Sequence, residues 1–148
     1  MATVGFETSE ALKILKVSTS DWRTAKDKGI YTCAPPARNG KRAWTADDLL
    51  CLSWFDALCA SGMLRLLAGG MAAELSKAIA RQPDATEFNV YAWERDEERG
   101  GLSIGSEPPP DAPNARLILV VPLAQWRSNV LAAIENFYAG RGARRGRS

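Results

Sequence analysis

"PPARNGKRAWTADDLL", residues 35–50, contains two prolines, an Asn-Gly pair and three basic residues ahead of a helical pattern. Asn39-Gly40 is the dipeptide preferred in two-residue hairpin turns, because both positions take a positive φ at low cost. The prolines forbid a helix before this turn. After it, Thr45 with Asp48 three residues later has the spacing of a capping box. The stretch therefore predicts a short basic hairpin that leads directly into a helix.

Two short helices are predicted upstream of the hairpin. An apolar helical face begins after Thr8 or Ser9, either of which could cap the first helix. The tight turn "LKVS" follows, and Ser18 begins a second helix that Gly29 can end. Two short helices joined by a tight turn form a helix-turn-helix pattern.

Downstream, the helix after Thr45 is followed by a second apolar helical stripe over residues 63–82. Gly69 and Gly70 lie inside that stripe, and each lowers helix stability by about 1 kcal/mol relative to alanine. Pro83 and Asp84 then mark a boundary, because the pattern beyond them changes from helix to strand.

The segment after the boundary predicts a β-β-β-α module, a small antiparallel sheet with a helix across it. "TEFNVYAWE" alternates in the manner of a strand, and "LSIGS" is a second short strand. "RLILVV", residues 116–121, is continuously apolar, which is typical of a strand covered on both faces or lying at a subunit contact. Pro122 can occupy the first turn of the final helix.

Such a module is small for independent stability and leaves strand edges and one sheet face uncovered. Pairing with a second copy would cover both, so residues 84–140 are interpreted as a dimerisation module. The expected contact residues lie on the third strand and the final helix: Leu119, Val121, Trp126, Val130, Ile134 and Phe137.

The net charge of +2 is unevenly distributed. Residues 1–83 carry eleven Lys/Arg against eight Asp/Glu, whereas residues 84–140 carry four against nine. The tail, residues 141–148, adds four arginines and no acid, and its composition predicts disorder. Its arginines could make non-specific phosphate contacts or serve only solubility.

Composition argues against several classes of function. The chain has no histidine and its three cysteines form no CxxC pair, so we expect no metal and no cofactor. Cys51 and Cys59 are interpreted as small buried residues. The sequence has neither a phosphate-binding glycine loop nor a nucleophile motif, and an enzyme is not expected. No apolar run is long enough for a membrane span and no signal peptide is seen, which predicts a cytoplasmic protein.

The runs "VSTSDWRTAKDKGIY" and "PPARNGKRAWTADDLLCL" resemble the winged helix-turn-helix domain of MerR-type transcription regulators. The similarity covers about residues 8–80, and the hairpin is its most specific part. The matching positions, in order, are Val17-Ser18, Arg23, Gly29-Ile30, Arg38-Asn39-Gly40, Arg42, Trp44-Thr45 and Asp48-Leu49.

The resemblance implies double-stranded DNA as the partner, with the second helix in the major groove and the hairpin as a wing. Trp22 and Trp44 are expected to pack inward. The expected DNA-contacting residues are Thr19, Ser20, Arg23, Thr24, Lys26, Arg38, Asn39, Lys41 and Arg42. This sequence departs from the family at Ser20-Asp21, where Arg-Thr is usual, and at Thr24-Ala25, where a tyrosine pair is usual. An acid and smaller residues there replace DNA contacts that the family pattern implies, and Asp21 could serve mainly as a cap. The family's long dimerisation helix is missing, so metal sensing and promoter untwisting do not carry over.

The resulting hypothesis is a homodimeric, sequence-specific DNA-binding regulator associated with the nucleoid. Its mainly α winged helix-turn-helix domain would span residues 1–82, followed by the α+β module and the basic tail. Two alternatives remain open. One is a phage-type architectural DNA binder, either excisionase-like or a small terminase subunit. The other is a protein-interaction adaptor whose acidic module binds a partner.

Overall fold

The computed structural model describes residues 5–95, 99–112 and 114–145, and it has a mixed α+β architecture with helices first. The predicted order of four helices followed by β-β-β-α is confirmed. The elements are α1 (Thr8–Leu15), α2 (Thr19–Asp27), α3 (Ala46–Ala60), α4 (Arg65–Arg81), β1 (Phe88–Arg95), β2 (Arg99–Gly105), β3 (Arg116–Val121) and α5 (Leu123–Arg145).

The ends of α2 follow the sequence prediction. The Ser18 hydroxyl accepts a hydrogen bond from the Asp21 backbone N–H at 3.0 Å, which satisfies one of the free donors at the helix start. At the other end, Gly29 has a φ of 68°, and the Ile30 N–H donates to the Ala25 carbonyl at 2.9 Å. Glycine takes this left-handed conformation without steric cost, so the helix stops there.

The prediction that Thr8 or Ser9 caps α1 is wrong. Glu7 is the N-cap, and its backbone N–H donates to Glu10 Oε1 at 3.3 Å. Thr8 is already helical, and its hydroxyl instead accepts a hydrogen bond from the Trp44 indole at 2.9 Å. The Thr8 hydroxyl, which the local sequence pattern predicts as the helix cap, is therefore bonded to a residue far away in the sequence.

Contacts explain the start of α3 and one of the two glycines of α4. The Thr45 N–H donates to Asp48 Oδ2 at 2.9 Å and the Asp48 N–H donates to Thr45 Oγ1 at 3.2 Å, which confirms the capping box. In α4, a Cβ at Gly69 would lie 1.9 Å from the Ile30 carbonyl oxygen, whereas one at Gly70 would meet nothing within 4 Å. Gly69 therefore permits a close approach of the backbone at Ile30.

The three strands form an antiparallel sheet in the order β2-β1-β3. Val90 at the centre of β1 pairs with Ile104 on one side and with Leu119 on the other. The pairing with β3 is irregular next to Val90, because Tyr91 pairs with Leu117 and leaves Ile118 as an extra residue. Both β2 and β3 are edges of this sheet.

The helices and the sheet contribute to one hydrophobic core, which includes side chains from both predicted modules. The helix α3 packs against α4 and α5, and α4 also contacts β2. The separation of the chain into modules at residues 1–82 and 84–140 stays a prediction.

The final helix differs from its predicted place across the sheet. Its principal contacts are with α3 and α1, and the Arg127 guanidinium donates to the Ala85 and Pro83 carbonyls at 3.0 and 2.6 Å. Its Nε lies 3.7 Å from Asp47 Oδ1 at the start of α3. The backbone of α5 is helical to Arg145, although the sequence predicts disorder from residue 141; residues 146–148 lie outside the described residues.

These contacts change the interpretation of the predicted dimerisation residues. Val121 and Val130 are fully buried within the chain's own core, so they are not available to a second copy. Three others are partly buried against the same core: Trp126, Ile134 and Phe137. Of the six, Leu119 alone is exposed. The apolar spacing on α5 thus reports intramolecular packing rather than an intermolecular surface.

Candidate nucleic-acid interface

Helix α2 has one buried face and one exposed face. Trp22 and Ala25 are buried, and they fix the rotation of the helix relative to the rest of the chain. The side chains on the other side are polar or charged. Thr19, Ser20, Arg23 and Lys26 are exposed, and Thr24 is half-buried at the margin. Four of the five predicted contact residues on this helix therefore face solvent.

The segment after α2 contains the predicted two-residue hairpin. The Arg38 N–H donates to the Lys41 carbonyl at 2.7 Å, and the Lys41 N–H donates to the Arg38 carbonyl at 3.0 Å. Asn39 and Gly40 have φ values of 53° and 76°, the conformation that this turn requires. Arg38, Asn39 and Lys41 are exposed. The hairpin prediction is confirmed, with one residue pair closing the turn.

Trp44 joins the hairpin to both short helices. Its backbone pairs with Phe6 through two hydrogen bonds of 2.8 Å, and its indole N–H donates to Thr8 Oγ1 of α1. Its ring is fully buried and meets the Trp22 ring of α2 edge to face, with centroids 5.2 Å apart. The expected inward packing of both tryptophans is confirmed. As a result, the hairpin and α2 share one aromatic support.

Arg42 differs from its predicted outward position. It is half-buried, and its Nη1 donates to the Pro35 carbonyl at 2.5 Å. This bond ties the segment before the turn to the segment after it. Arg42 therefore supports the loop, while Arg38 and Lys41 present their charges to solvent.

Acidic side chains lie among these basic residues. The Asp21 carboxylate is 3.8 Å from Arg65 Nη2 of α4, Asp27 is 3.7 Å from Lys26, and Glu7 is 4.0 Å from Lys41. Such exposed ion pairs contribute little to stability. Their basic members do, however, neutralise carboxylates that lie beside the exposed face of α2. Sequence reasoning missed Arg65, because only the packing of α4 brings it to the start of α2.

Behind α2, a second aromatic layer includes two thiols and one phenol. The Tyr31 ring meets Trp22 and Phe55 edge to face, at centroid distances of 5.8 and 5.2 Å. Burial raises the pKa of the Tyr31 hydroxyl, and the neighbouring Cys33 adds to this effect. Burial likewise raises the pKa of the Cys33 and Cys51 thiols. The interpretation of Cys51 as a small buried residue is confirmed, since its side chain belongs to the hydrophobic core, whereas Cys59 is only partly buried against that core.

A membrane span and a metal site each have requirements with which the described residues can be compared. Within residues 5–95, 99–112 and 114–145, none of the helices has the length and apolar character of a membrane-spanning segment. Over the same ranges, no three Cys, Asp or Glu side chains lie together in a group that could hold a metal ion.

No protein-family model matches this chain, and no curated protein matches it in sequence.

Proposed function

We propose that this protein is a sequence-specific DNA-binding regulator that uses a MerR-like winged helix-turn-helix. Helix α2 would enter the major groove of double-stranded DNA, and the hairpin around Asn39-Gly40 would contact the adjacent backbone or minor groove. The observation that carries this proposal is the shared support of the two elements: Trp44, three residues after Lys41 of the hairpin, is hydrogen-bonded to Phe6 and to Thr8 of α1 and packs on Trp22 of α2.

The exposed residues of α2 have chemistry suited to base edges. Arg23 can donate two hydrogen bonds to guanine, and Ser20 can donate or accept. Thr19 and Lys26 flank them on the exposed side, where they can contact bases or phosphates. Thr24, being half-buried, is placed at the margin of this surface. A helix is narrow enough to lie in the major groove of B-form DNA, which displays a distinct donor and acceptor pattern for each base pair.

The hairpin has the chemistry of a phosphate contact. Arg38 and Lys41 are exposed beside a turn whose backbone is fixed by two hydrogen bonds. Contacts to phosphates set affinity and register but carry no sequence information themselves. Specificity is therefore assigned to α2, and much of the salt-dependent affinity is assigned to the hairpin.

The regulator is proposed to act as a homodimer on a two-fold symmetric site. Two copies related by a two-fold axis would present their α2 helices to successive turns of the major groove. The experiment that tests sequence specificity is selection of bound duplexes from a random library with the full chain, followed by sequencing. We expect one enriched motif. An unenriched pool would contradict the specific part of the proposal.

Two α2 variants then assign the readout. Arg23→Ala is expected to relax base preference within the selected motif, with a loss of about 1–3 kcal/mol for the preferred base. Lys77→Ala, which removes an exposed charge from α4, is the matched control and should leave the motif unchanged. If both variants select the same motif as the parent protein, α2 is not the reading helix.

The architectural alternative has one specific observation in its favour. Leu64, Leu66 and Leu67 are exposed around Arg65, whose side chain is paired with Asp21 of α2. An apolar patch beside the proposed DNA surface could contact a neighbouring copy bound to the next site. Footprinting on the selected DNA separates the two cases, since an architectural binder protects tandem repeats whereas the proposed dimer protects a palindrome.

A further inference from the structure

The outer edge of β3 is the largest exposed apolar strand surface in the described part of the chain. Leu117, Ile118 and Val120 are 55%, 54% and 43% exposed, and Leu119 is also open. The strand pairs with β1 on its inner side only, since the described sheet ends there. Its outward backbone groups are therefore available to another strand.

Both faces of this edge are apolar. Leu119 pairs with Val90, which pairs in turn with the buried Ile104, so these three lie on the core side of the sheet. Val120 and Leu117 pair with Asn89 and Tyr91, which lie on the opposite side of the sheet. A strand added at this edge would thus cover apolar side chains above and below the sheet.

Protection against pairing is weak at this edge and stronger at the other. Monomeric proteins usually place charges, prolines or bulges on exposed strands. β3 has one charge, Arg116 at its first position, and one bulge at Ile118. β2 instead lies beside α4, whose Arg81 donates a hydrogen bond to the Ile104 carbonyl of β2 at 3.4 Å. The contrast suggests that the β3 edge is kept open for a partner.

A second copy of the same strand fits this edge. Antiparallel pairing of β3 with itself places apolar residues opposite apolar residues in any register near its centre. It also separates the two Arg116 side chains by roughly the length of the strand, which for six residues is about 17–20 Å. Parallel pairing would place the two arginines together. The charge position therefore favours the antiparallel, two-fold arrangement.

We infer that two copies associate through antiparallel β3–β3 pairing and form one continuous six-stranded sheet. The contact is isologous, as expected of a two-fold dimer. The role of this pairing, which is to supply the two-fold symmetry that a palindromic DNA site requires, rests on the proposed function. The strand pairing itself does not require DNA, so the two can fail separately.

The test is the mass of the full chain in solution, measured by light scattering and sedimentation over a range of concentrations. The parent protein should be a dimer. Val120→Lys, which adds a charge on the open side of β3, should raise the dimer dissociation constant at least tenfold. The control is Leu66→Lys on α4, where a leucine that is even more exposed than Val120 receives the same charge and the dimer should persist.

Cysteine cross-linking tests the strand direction. Cys33 and Cys59 are free and only partly buried, so both are replaced by serine in every variant of this test. Under oxidation, Leu119→Cys should then give a covalent dimer near the two-fold axis, whereas Arg116→Cys should not. Cross-linking at Arg116→Cys alone, or a parent protein that is monomeric at all concentrations, would overturn the inference. So would a dimer lost with Leu66→Lys and kept with Val120→Lys. Circular dichroism of each variant is the check that the fold is retained.

DNA binding is read separately from mass. A monomer that still selects a half-site motif would contradict the β3 pairing and the proposed homodimer, but it would leave the proposal of sequence-specific DNA binding standing. A β3 dimer that selects no DNA motif would support the pairing and contradict the proposed function.

Discussion

Two exposed surfaces of this chain have opposite chemistry. The surface made by α2 and the hairpin carries polar and charged side chains, and buried aromatic rings hold it from behind. The outer edge of β3 carries aliphatic side chains at the end of the sheet. Polar side chains are common on any protein surface, so the evidence for function at α2 and the hairpin is the buried support that fixes their positions. A continuous apolar strand edge is uncommon, so the exposure of the β3 edge is itself the evidence for a contact there.

The largest expected effect tests the rigidity of the first surface. Trp44→Ala removes a fully buried ring, its contact with Trp22 and a hydrogen bond to Thr8. We expect unfolding free energy to fall by about 3–5 kcal/mol, measured by urea denaturation. Arg38→Ala, on the exposed hairpin, should change it by less than about 0.5 kcal/mol. Equal effects from the two variants would mean that Trp44 is not the support.

A second pair of variants tests how closely α4 approaches the segment that follows α2. Gly69→Ala places a methyl group against the Ile30 carbonyl and should cost about 1–3 kcal/mol of unfolding free energy. Gly70→Ala has open space and should instead stabilise by up to about 1 kcal/mol, because alanine favours the helix. Denaturation of both variants in parallel gives the comparison. The same sign for both would show that the backbone approach is not tight.

Much of the local structure could be predicted from the sequence. The hairpin depends on Asn39-Gly40, the start of α3 on Thr45 and Asp48, and the end of α2 on Gly29. Each is a short-range effect in which the residues involved lie within a few positions of one another.

The failures were long-range. Thr8 has the spacing of a cap but accepts its bond from Trp44, 36 positions away. Arg42 turns back to Pro35, and Arg65 reaches Asp21 through the packing of α4. The helical spacing of apolar residues on α5 could indicate either a core or a subunit contact. Only the packing of α5 on α3 and α1 decides between them.

A smaller effect compares adjacent residues on β3. Val121 is 1% exposed and faces the core, so Val121→Ala should cost about 1–2 kcal/mol of unfolding free energy. Val120→Ala should cost less than about 0.5 kcal/mol at low protein concentration, and more at high concentration if β3 pairs with a second copy. Thermal melts at several concentrations separate the two. If Val120→Ala and Val121→Ala lose the same stability at every protein concentration, the β3 edge is not open to a second copy.

The central claim is that α2 and the hairpin form one DNA-binding surface, and the salt dependence of binding tests it most directly. Fluorescence anisotropy with the selected duplex gives the slope of log affinity against log salt for the parent protein and for Arg38→Ala/Lys41→Ala. Each lost phosphate contact lowers the slope by about 0.9, so the double variant should bind more weakly with a slope reduced by about 1.8 per copy. Lys77→Ala should bind as the parent does. If the double variant keeps both the affinity and the slope of the parent, the hairpin does not contact DNA and the account is contradicted.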